Sequence, residues 1–334
     1  MEAIDVVGAG GIGCAVGFAL CSAGFNVAFV DVDTRKVQWG RAHGVLVDGV
    51  GAYPASFLHF DAWRPSANRL TLLCTKCYAN AEVIARLPAD TALLPIQNGF
   101  DPELESRGNG FEGIASFVSE CRPGQTRTRI TRRGSLHLGL RLGPERSKTS
   151  NRFVPALFDA LRRCGLFRTL WVDNILPYKY AKLMYNAAIS PLAAAAGLDN
   201  GSLLSFPLAR RLFFGLLREN YAILSGAGII LARIGPFHPR TVARILEHPF
   251  VANALAWAFY PSLRGTYCSM SRDLPAGRTE IEYYNGRLIE LAQNRSCPLN
   301  RRVYDLVKCM EQGRTTPSVE TLRGLTLASP VWAG

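Results

Sequence analysis

Ala3-Ile4-Asp5-Val6-Val7-Gly8-Ala9-Gly10-Gly11-Ile12-Gly13 is the stretch on which the fold turns. Its first five residues form an apolar run broken only by Asp5 and read as a short strand. Gly8, Gly10 and Gly13 then stand in the spacing G-x-G-x-x-G. Over residues 12–23, Val16, Ala19, Leu20 and Ala23 recur at helical spacing. Gly24 reads as the C-cap, and residues 26–30 as a second strand ending at Asp31. The glycine spacing alone is a weak sign. Strand, glycine turn, helix, glycine, strand and acid in that order are the context a dinucleotide-binding turn requires. Such glycines let the backbone approach a pyrophosphate, whose charge sits at the helix N-terminus. Gly8, Gly10, Gly11, Ile12 and Gly13 are therefore the expected cofactor cradle. The plainer alternative is a glycine-rich turn that binds nothing.

Asp31 stands 18 residues beyond Gly13, where an acid grips the adenosine ribose. A carboxylate there accepts from a free 2′-hydroxyl and repels a 2′-phosphate, so NAD(H) is favoured. NADP(H) stays open, because Arg35 and Lys36 follow closely and Asp33 can share the role. Two further buried strands, residues 70–74 and 91–96, run into Thr75-Lys76 and Gln97-Asn98-Gly99. Ligands bind outside the carboxyl ends of parallel strands, which places Lys76 and Asn98 toward the nicotinamide and the substrate. Residues 134–140 read as a late strand and 153–164 as a helix.

Beyond Trp171 strand-like runs stop and helical periodicity takes over. The expected architecture is α/β plus all-α: a Rossmann-type doubly wound parallel sheet over 1–172, a helical domain over 173–320, and a tail over 321–334. Composition agrees with two ordinary globular cores, at 48% hydrophobic and 19% charged residues in 334. The opening residues carry no basic segment, and no apolar run reaches spanning length. Residues 223–234 are greasy but broken by Gly226, Gly228 and Arg233, and read as a buried helix with its turn. A soluble, cytoplasmic protein is expected. Nine scattered cysteines do not form a disulfide framework, and the single pair Cys74-x-x-Cys77 is a poor zinc site, so no metal is expected. Two small side chains at a strand end are the plainer account of that pair, with a redox role as the sharper one. The net charge of +12 rests on 32 Arg against six Lys. Arg127, Arg129, Arg132 and Arg133 cluster, but without interleaved aromatics they read as a solvated strand face rather than a nucleic-acid surface.

In the second half, Lys182, Asn186 and Ser190 are spaced four apart and share one helix face. A chain that spends Arg on most positive charges has Lys at 76, 179 and 182. Lysine can release a proton when desolvated, whereas Arg cannot, which singles out Lys182 as a candidate acid. A second polar run is Ser269-Met270-Ser271-Arg272-Asp273, then Thr279-Glu280-Ile281. Ile281, Tyr284, Leu288 and Leu291 follow at helical spacing, so Glu280 is expected in a first turn capped by Thr279.

Together these pieces resemble the ketopantoate reductase (2-dehydropantoate 2-reductase) family. The resemblance runs through Gly8–Gly13, Lys76, Gln97-Asn98-Gly99, Lys182-Leu183 with Asn186, Ser269-Met270 with Asp273, Thr279-Glu280-Ile281, Asn285-Gly286, Pro298, Asn300 and Tyr304. It implies a reductase that passes hydride from a nicotinamide cofactor to the carbonyl of a small 2-oxo acid, with a homodimer as a further expectation. On that resemblance Lys182 matches the general acid, Glu280 the acid that holds substrate and lysine, Asn98 an amide at the reaction centre and Lys76 a cofactor-side lysine. Asn186, Ser190 and Ser269 match substrate positions. Ser190 stands where the family often has a second Asn, and the segment from Ser269 to Glu280 is one residue shorter than usual. Val32, after Asp31, replaces the Arg of members that prefer NADP. Competing readings are an opine or polyol-phosphate dehydrogenase and a non-catalytic dinucleotide sensor.

Overall fold

The structure, a computed structural model, describes residues 3–107, 110–141 and 153–326. The chain divides into two compact units, Met1–Leu176 and Pro177–Gly334. Unit 1 opens with β1 (Ala3–Val7), α1 (Gly11–Ser22), β2 (Asn26–Asp31), α2 (Thr34–His43), β3 (Val45–Val47), β4 (Gly51–Tyr53) and β5 (Ser56–His59). It continues through β6 (Leu70–Leu73), α3 (Asn80–Ile84), β7 (Leu93–Pro95), α4 (Pro102–Ser106), β8 (Phe111–Ala115) and β9 (Val118–Cys121). It closes with β10 (Arg127–Arg132), β11 (Ser135–Leu140), α5 (Val154–Arg163) and β12 (Arg168–Val172).

The central sheet has the order β5-β2-β1-β6-β7, and every pair in it is parallel. Parallel strands covered on both faces need near-continuous apolar runs, as in the fully buried β6. Successive residues of β1 serve opposite faces. Ile4 and Val6 pack in one core with Val16 and Leu20 of α1 and Leu157 of α5. Val7 packs in the other with Phe60, Trp63 and Val83. Asp5 is buried, yet its carboxylate accepts from Arg69 Nε at 2.6 Å and Trp63 Nε1 at 2.9 Å, which is why an acid survives inside the first strand.

Two smaller sheets, β4-β3-β10-β9 and β12-β11-β8, complete unit 1, and a parallel bridge between Ile96 and Gly113 leads from the end of β7 to β8. The arginine-rich segment is the strand β10. Its Arg127 is not simply solvated, since it pairs with Asp48.

The described elements of unit 2 are helical: α6 (Leu176–Ala196), which begins at the unit boundary, then α7 (Asn200–Ser205), α8 (Pro207–Gly226), α9 (Pro239–Leu246), α10 (Pro249–Leu263) and α11 (Ser269–Asp273). A π turn over Glu282–Gly286 leads into α12 (Arg287–Ala292), followed by α13 (Pro298–Glu311). The greasy segment 223–234 opens with the buried end of α8, at Ile223 and Leu224, and turns after Gly226; beyond the turn Ile230 is exposed. The supposed tail begins with a 3-10 turn, Glu320–Leu325, whose Leu322 and Leu325 are buried; residues 327–334 lie outside the described residues. Among the described residues no helix is long and apolar enough to cross a membrane.

His137 of β11 is a consequence of this layering. Burial, with the Arg168 guanidinium as the second cause, pushes it down to about 4. In the unfolded chain it titrates near 6.5, so the unfolded state alone takes up a proton between those values. The contribution is complete above pH 6.5 and is lost as pH falls toward 4, on the order of 1–3 kcal/mol. Urea unfolding from pH 7 to pH 4 is expected to lose less stability in His137→Gln than in the wild type; parallel profiles would contradict this.

Candidate active site

The turn after β1 is built by two close approaches. Gly8 has φ of +96°, and its N–H donates to the Val30 carbonyl at 2.8 Å. A Cβ on Gly8 would lie 2.7 Å from the Thr75 nitrogen, and one on Gly13 would lie 2.0 Å from the Gly8 oxygen. Neither position accepts a side chain. A Cβ on Gly10, by contrast, would meet nothing within 4 Å. Gly10 is the N-cap of α1 and offers no side-chain cap, so the first-turn N–H groups are left to other acceptors. Ile12 packs against the core and anchors the start of the helix.

Asp31, at the end of β2, is held rather than free. Its Oδ2 accepts from the Ala9 N–H at 2.9 Å and from Lys36 Nζ at 3.2 Å, and its Oδ1 accepts from the Asp33 N–H at 3.0 Å. Asp33 itself caps α2 through the N–H groups of Arg35 and Lys36. Burial works against the Lys36 ammonium, but Asp31 outweighs it, with the Cys121 and Cys14 thiols, and holds that lysine above its usual range.

At the ends of β6 and β7 a polar network fixes the flanks of Lys76 and Asn98. Gln97 Nε2 donates to the Thr75 carbonyl at 2.8 Å and to Asn80 Oδ1 at 2.7 Å. Asn80 Nδ2 donates to Asp101 Oδ2 at 2.7 Å. Lys76 and Asn98 each lie one residue past a member of this network, both half-buried, and Asn98 Oδ1 is a buried acceptor with no hydrogen bond in the structure. Sequence reasoning missed Asn80 and Asp101; the Asp101-Pro102 helix-start signature was a usable signal for the second. The glycine turn, Asp31, Lys76 and Asn98 thus share the carboxyl edge of one sheet, where strand order reverses between β1 and β6. An open turn at an uncapped helix start, with an acid at the end of the next strand, fits a dinucleotide: pyrophosphate at Gly10–Gly13, ribose toward Asp31.

In unit 2, Lys182 and Asn186 are half-buried on α6, while Ser190 and the nearby Lys179 are buried. Pro191 lies inside this helix and has no N–H, so the Ala187 carbonyl loses its partner four residues on. Asn285 replaces it, its Nδ2 donating to that oxygen at 2.9 Å and to Asn300 Oδ1 at 2.9 Å. Asn300 Nδ2 donates in turn to Asn220 Oδ1 and Glu219 Oε1, both at 2.8 Å, and Asn220 Nδ2 donates to the Met184 carbonyl at 2.9 Å. The backbone on either side of Asn186 is therefore clamped by side chains from two other elements, which Asn300 of α13 ties together. Asn285, Asn300 and Asn220 are structural parts of the site, and only the first two stood out in the sequence.

Cys268 Sγ donates to the Ser190 carbonyl at 3.3 Å, which seats the start of α11 against α6 and leaves Ser269 exposed. Glu280 is buried and accepts from the Tyr284 hydroxyl at 3.2 Å. It lies one residue ahead of the helical segment rather than in its first turn. Thr279 Oγ1 accepts from the Ile281 N–H at 3.2 Å and donates to Glu311 Oε1 at 2.7 Å. The π turn that follows is a widening often found at functional sites. Among the described residues no His, Cys, Asp and Glu cluster could hold a metal ion.

Comparison with known proteins matches both units. The family model described as ketopantoate reductase PanE/ApbA covers residues 4–139, and its C-terminal counterpart covers residues 174–311. The chain belongs to the ketopantoate reductase family and is an NAD(P)-dependent oxidoreductase. The 2-dehydropantoate 2-reductase of Pyrococcus horikoshii is 28% identical over 318 residues, spanning 92% of this chain and 97% of that protein. A ternary structure of D-mandelate dehydrogenase with NADH and anilino(oxo)acetate aligns with a TM-score of 0.73 at 22% identity, over 94% of this chain and 99% of that one. The PanE/ApbA family ketopantoate reductase of Ralstonia eutropha JMP134 aligns with a TM-score of 0.73 at 21% identity, over the same shares. These neighbours share its fold, a parallel sheet domain followed by a helical one.

The clamp on α6 gives a direct expectation. Asn285→Ala leaves the Ala187 oxygen buried without a donor, which costs about 1–3 kcal/mol. Urea unfolding should register that loss, and an unchanged midpoint at unchanged slope would mean that this carbonyl needs no partner.

Proposed function

We propose that this protein reduces the carbonyl of a small 2-oxo acid of the ketopantoate type, with Lys182 as the general acid. The observation that carries the reading is the fixed backbone around Lys182 and Asn186, held by the Asn285–Asn300–Asn220 relay across a proline that would otherwise disorder it. When bound, a nicotinamide dinucleotide supplies the hydride. Lys182 Nζ gives its proton to the substrate oxygen as negative charge develops there, the point at which a positioned cation lowers the barrier most. Glu280, rigid through Tyr284, orients the substrate and the lysine. Asn186, Ser190 and Ser269 supply hydrogen bonds to the hydroxyl and carboxylate ends of the substrate. Asn98 offers an amide to the reacting end from the sheet edge, and Lys76 supports the cofactor. Gly8, Gly10, Gly11, Ile12 and Gly13 form the cradle for the pyrophosphate. Retention of Lys182, Asn98 and Glu280 together favours a reductase over a dinucleotide sensor.

NADH is proposed as the preferred cofactor. Asp31 disfavours a 2′-phosphate, and Lys36, paired with it, softens that preference without removing it. Steady-state kinetics on a panel of 2-oxo acids including ketopantoate, run with both cofactors, test the whole reading. Lys182→Ala should lower kcat by about 10²–10⁴ with cofactor affinity kept, and Lys182→Arg should not restore it, because a guanidinium keeps its proton. Glu280→Ala should raise KM more than it lowers kcat. Asp31→Asn should narrow the gap between NADH and NADPH. Near-normal turnover in Lys182→Ala removes the central role assigned to it.

The remaining partner is a second copy of the chain, docked on α10. Apart from Ser262 near its C-terminal end, the outward face of that helix is apolar: Phe250 (93% exposed), Val251, Ala254, Trp257 (57% exposed), Ala258 and Pro261. No charged residue occurs in its 15 positions, on a chain with a net charge of +12. A two-fold interface has to be compatible with itself. An uncharged apolar face is; a surface rich in Arg repels its own copy. Sedimentation at micromolar concentration should give a dimer, and Trp257→Arg a monomer. A monomeric wild type contradicts the assignment.

A further inference from the structure

The Ala9 peptide, between the first two glycines of the turn, is gripped on both sides. Its N–H is held by Asp31. Its carbonyl oxygen receives two thiols, Cys14 Sγ of α1 at 3.3 Å and Cys121 Sγ of β9 at 3.8 Å. Both thiols thus converge on one acceptor oxygen, and each influences the ionisation of the other. The elements that carry them are packed closely, since a Cβ on Gly11 would lie 2.2 Å from the Ser119 carbonyl of β9. Cys14 is buried and Cys121 half-buried, so an incoming small oxidant meets Cys121 first.

We propose that Cys14 and Cys121 are a peroxide-responsive thiol pair that forms a reversible disulfide under the glycine turn and thereby weakens dinucleotide binding. The second half of this statement rests on reading unit 1 as the cofactor cradle. The first half does not.

The two sulfurs are prepared for different tasks. When Cys121 gives up its proton, the Cys14 S–H can turn from the Ala9 oxygen to the Cys121 sulfur; that hydrogen bond holds the Cys121 thiol below the usual range against the opposing effect of burial, with the Lys36 ammonium acting in the same direction. Cys14, the donor in that bond and fully buried, is pushed up. Cys121 is thus the attacking group and Cys14 the resolving one. Cys121 sulfur, giving up its proton, attacks one oxygen of hydrogen peroxide; an S–O bond forms, the O–O bond breaks, and the departing hydroxide is protonated to water. Cys14 sulfur then attacks the sulfenic sulfur. The S–S bond forms, the S–O bond breaks, and the leaving hydroxide takes the Cys14 proton as a second water. Two thiols are oxidised by two electrons, and one peroxide is reduced to two waters. A dithiol reductant returns both thiols.

The consequence for binding follows from the hydrogen bonds. A disulfide has no S–H, so the Ala9 carbonyl loses both donors at once, at the peptide that aims the turn toward Gly10. The C-x-x-C pair that the sequence put forward lacks this preparation: burial pushes the Cys74 thiol up to about 12.

The test uses the full chain, fully reduced, then treated with hydrogen peroxide and digested without reductant. A linked pair of peptides carrying Cys14 and Cys121 is expected in the mass spectrum, and dithiothreitol should abolish it. NADH fluorescence titration of the same samples should lose affinity by about tenfold, the scale of one to two lost hydrogen bonds, and regain it on reduction. Cys121→Ser should lose no further NADH affinity on oxidation relative to its own reduced state. Cys14→Ser should instead trap a sulfenic acid at Cys121 that reacts with dimedone, an outcome that does not depend on cofactor binding. If peroxide leaves both thiols unlinked while reduced protein binds NADH, the pair is not a redox site. If the link forms and NADH affinity is unchanged, the switch is overturned. If the reduced protein binds neither NADH nor NADPH, the cradle reading fails, and the linked peptides still decide the pair.

Discussion

A methyl group on Gly13 would stand 2.0 Å from the Gly8 carbonyl oxygen, far inside van der Waals contact, and much of unit 1 depends on that proximity. It lets α1 begin almost at the end of β1, with its N-terminal N–H groups and the positive end of its dipole over an open turn. The approach is repeated one turn later, where a Cβ on Gly17 would lie 2.3 Å from the Phe29 ring, so the helix lies close against β2. The end of β2 is then near enough for Asp31 to take the Ala9 N–H. Strand, turn, helix and acid are positioned by one another, and a larger side chain at Gly13 would disturb all of them.

Unit 2 obeys a different constraint. A proline inside α6 removes one backbone donor, and an orphaned buried carbonyl is too costly to leave. The repair is a relay of three asparagines and Glu219, in which amide donors and acceptors alternate. Because the repaired carbonyl lies one residue past Asn186, the compensation for the proline also sets the orientation of the proposed catalytic face. Ser190, whose carbonyl takes the Cys268 thiol, extends this control toward Ser269. The repair of the proline gap and the proposed site thus share one stretch of backbone, and the relay residues act by holding others in place.

Much of this was legible in the residues alone. The β1–α1–β2 unit announced itself through glycine spacing and apolar period, and the change from strand to helix pattern near residue 171 through the loss of short β-branched runs. The helical position of Lys182, Asn186 and Ser190 followed from spacing. What the residues could not convey was partnership at long range. Asn80, Gln97 and Asp101 come from three segments, and no local period links them. The relay to Ala187 depends on tertiary placement of Asn220, 65 positions before Asn285 in the chain. The exposure of Ile230 beyond the α8 turn was not legible either, because hydrophobicity reports transfer preference and not whether a neighbour arrives. Cys14 and Cys121 were passed over for the adjacent C-x-x-C, since sequence proximity is a poor guide to which thiols share a carbonyl.

Asp31 and Lys36 bring these threads together. A bare carboxylate beside an anion-binding turn would oppose the pyrophosphate as well as a 2′-phosphate, and its repulsion would reach across the cradle at low ionic strength. Paired with Lys36 at 3.2 Å, it presents little net charge at a distance while keeping a fixed, directional acceptor close by. On the proposed preference for NADH, discrimination would be short-ranged: a ribose hydroxyl that donates would be accommodated, and a phosphate that can only accept would not. The pairing also places an ammonium beside Cys121, and so ties the acid proposed to hold the ribose to the thiols beneath the turn. Removing the lysine charge would therefore act on both, strengthening the repulsion felt by any phosphorylated ligand and weakening the stabilisation of the Cys121 thiolate.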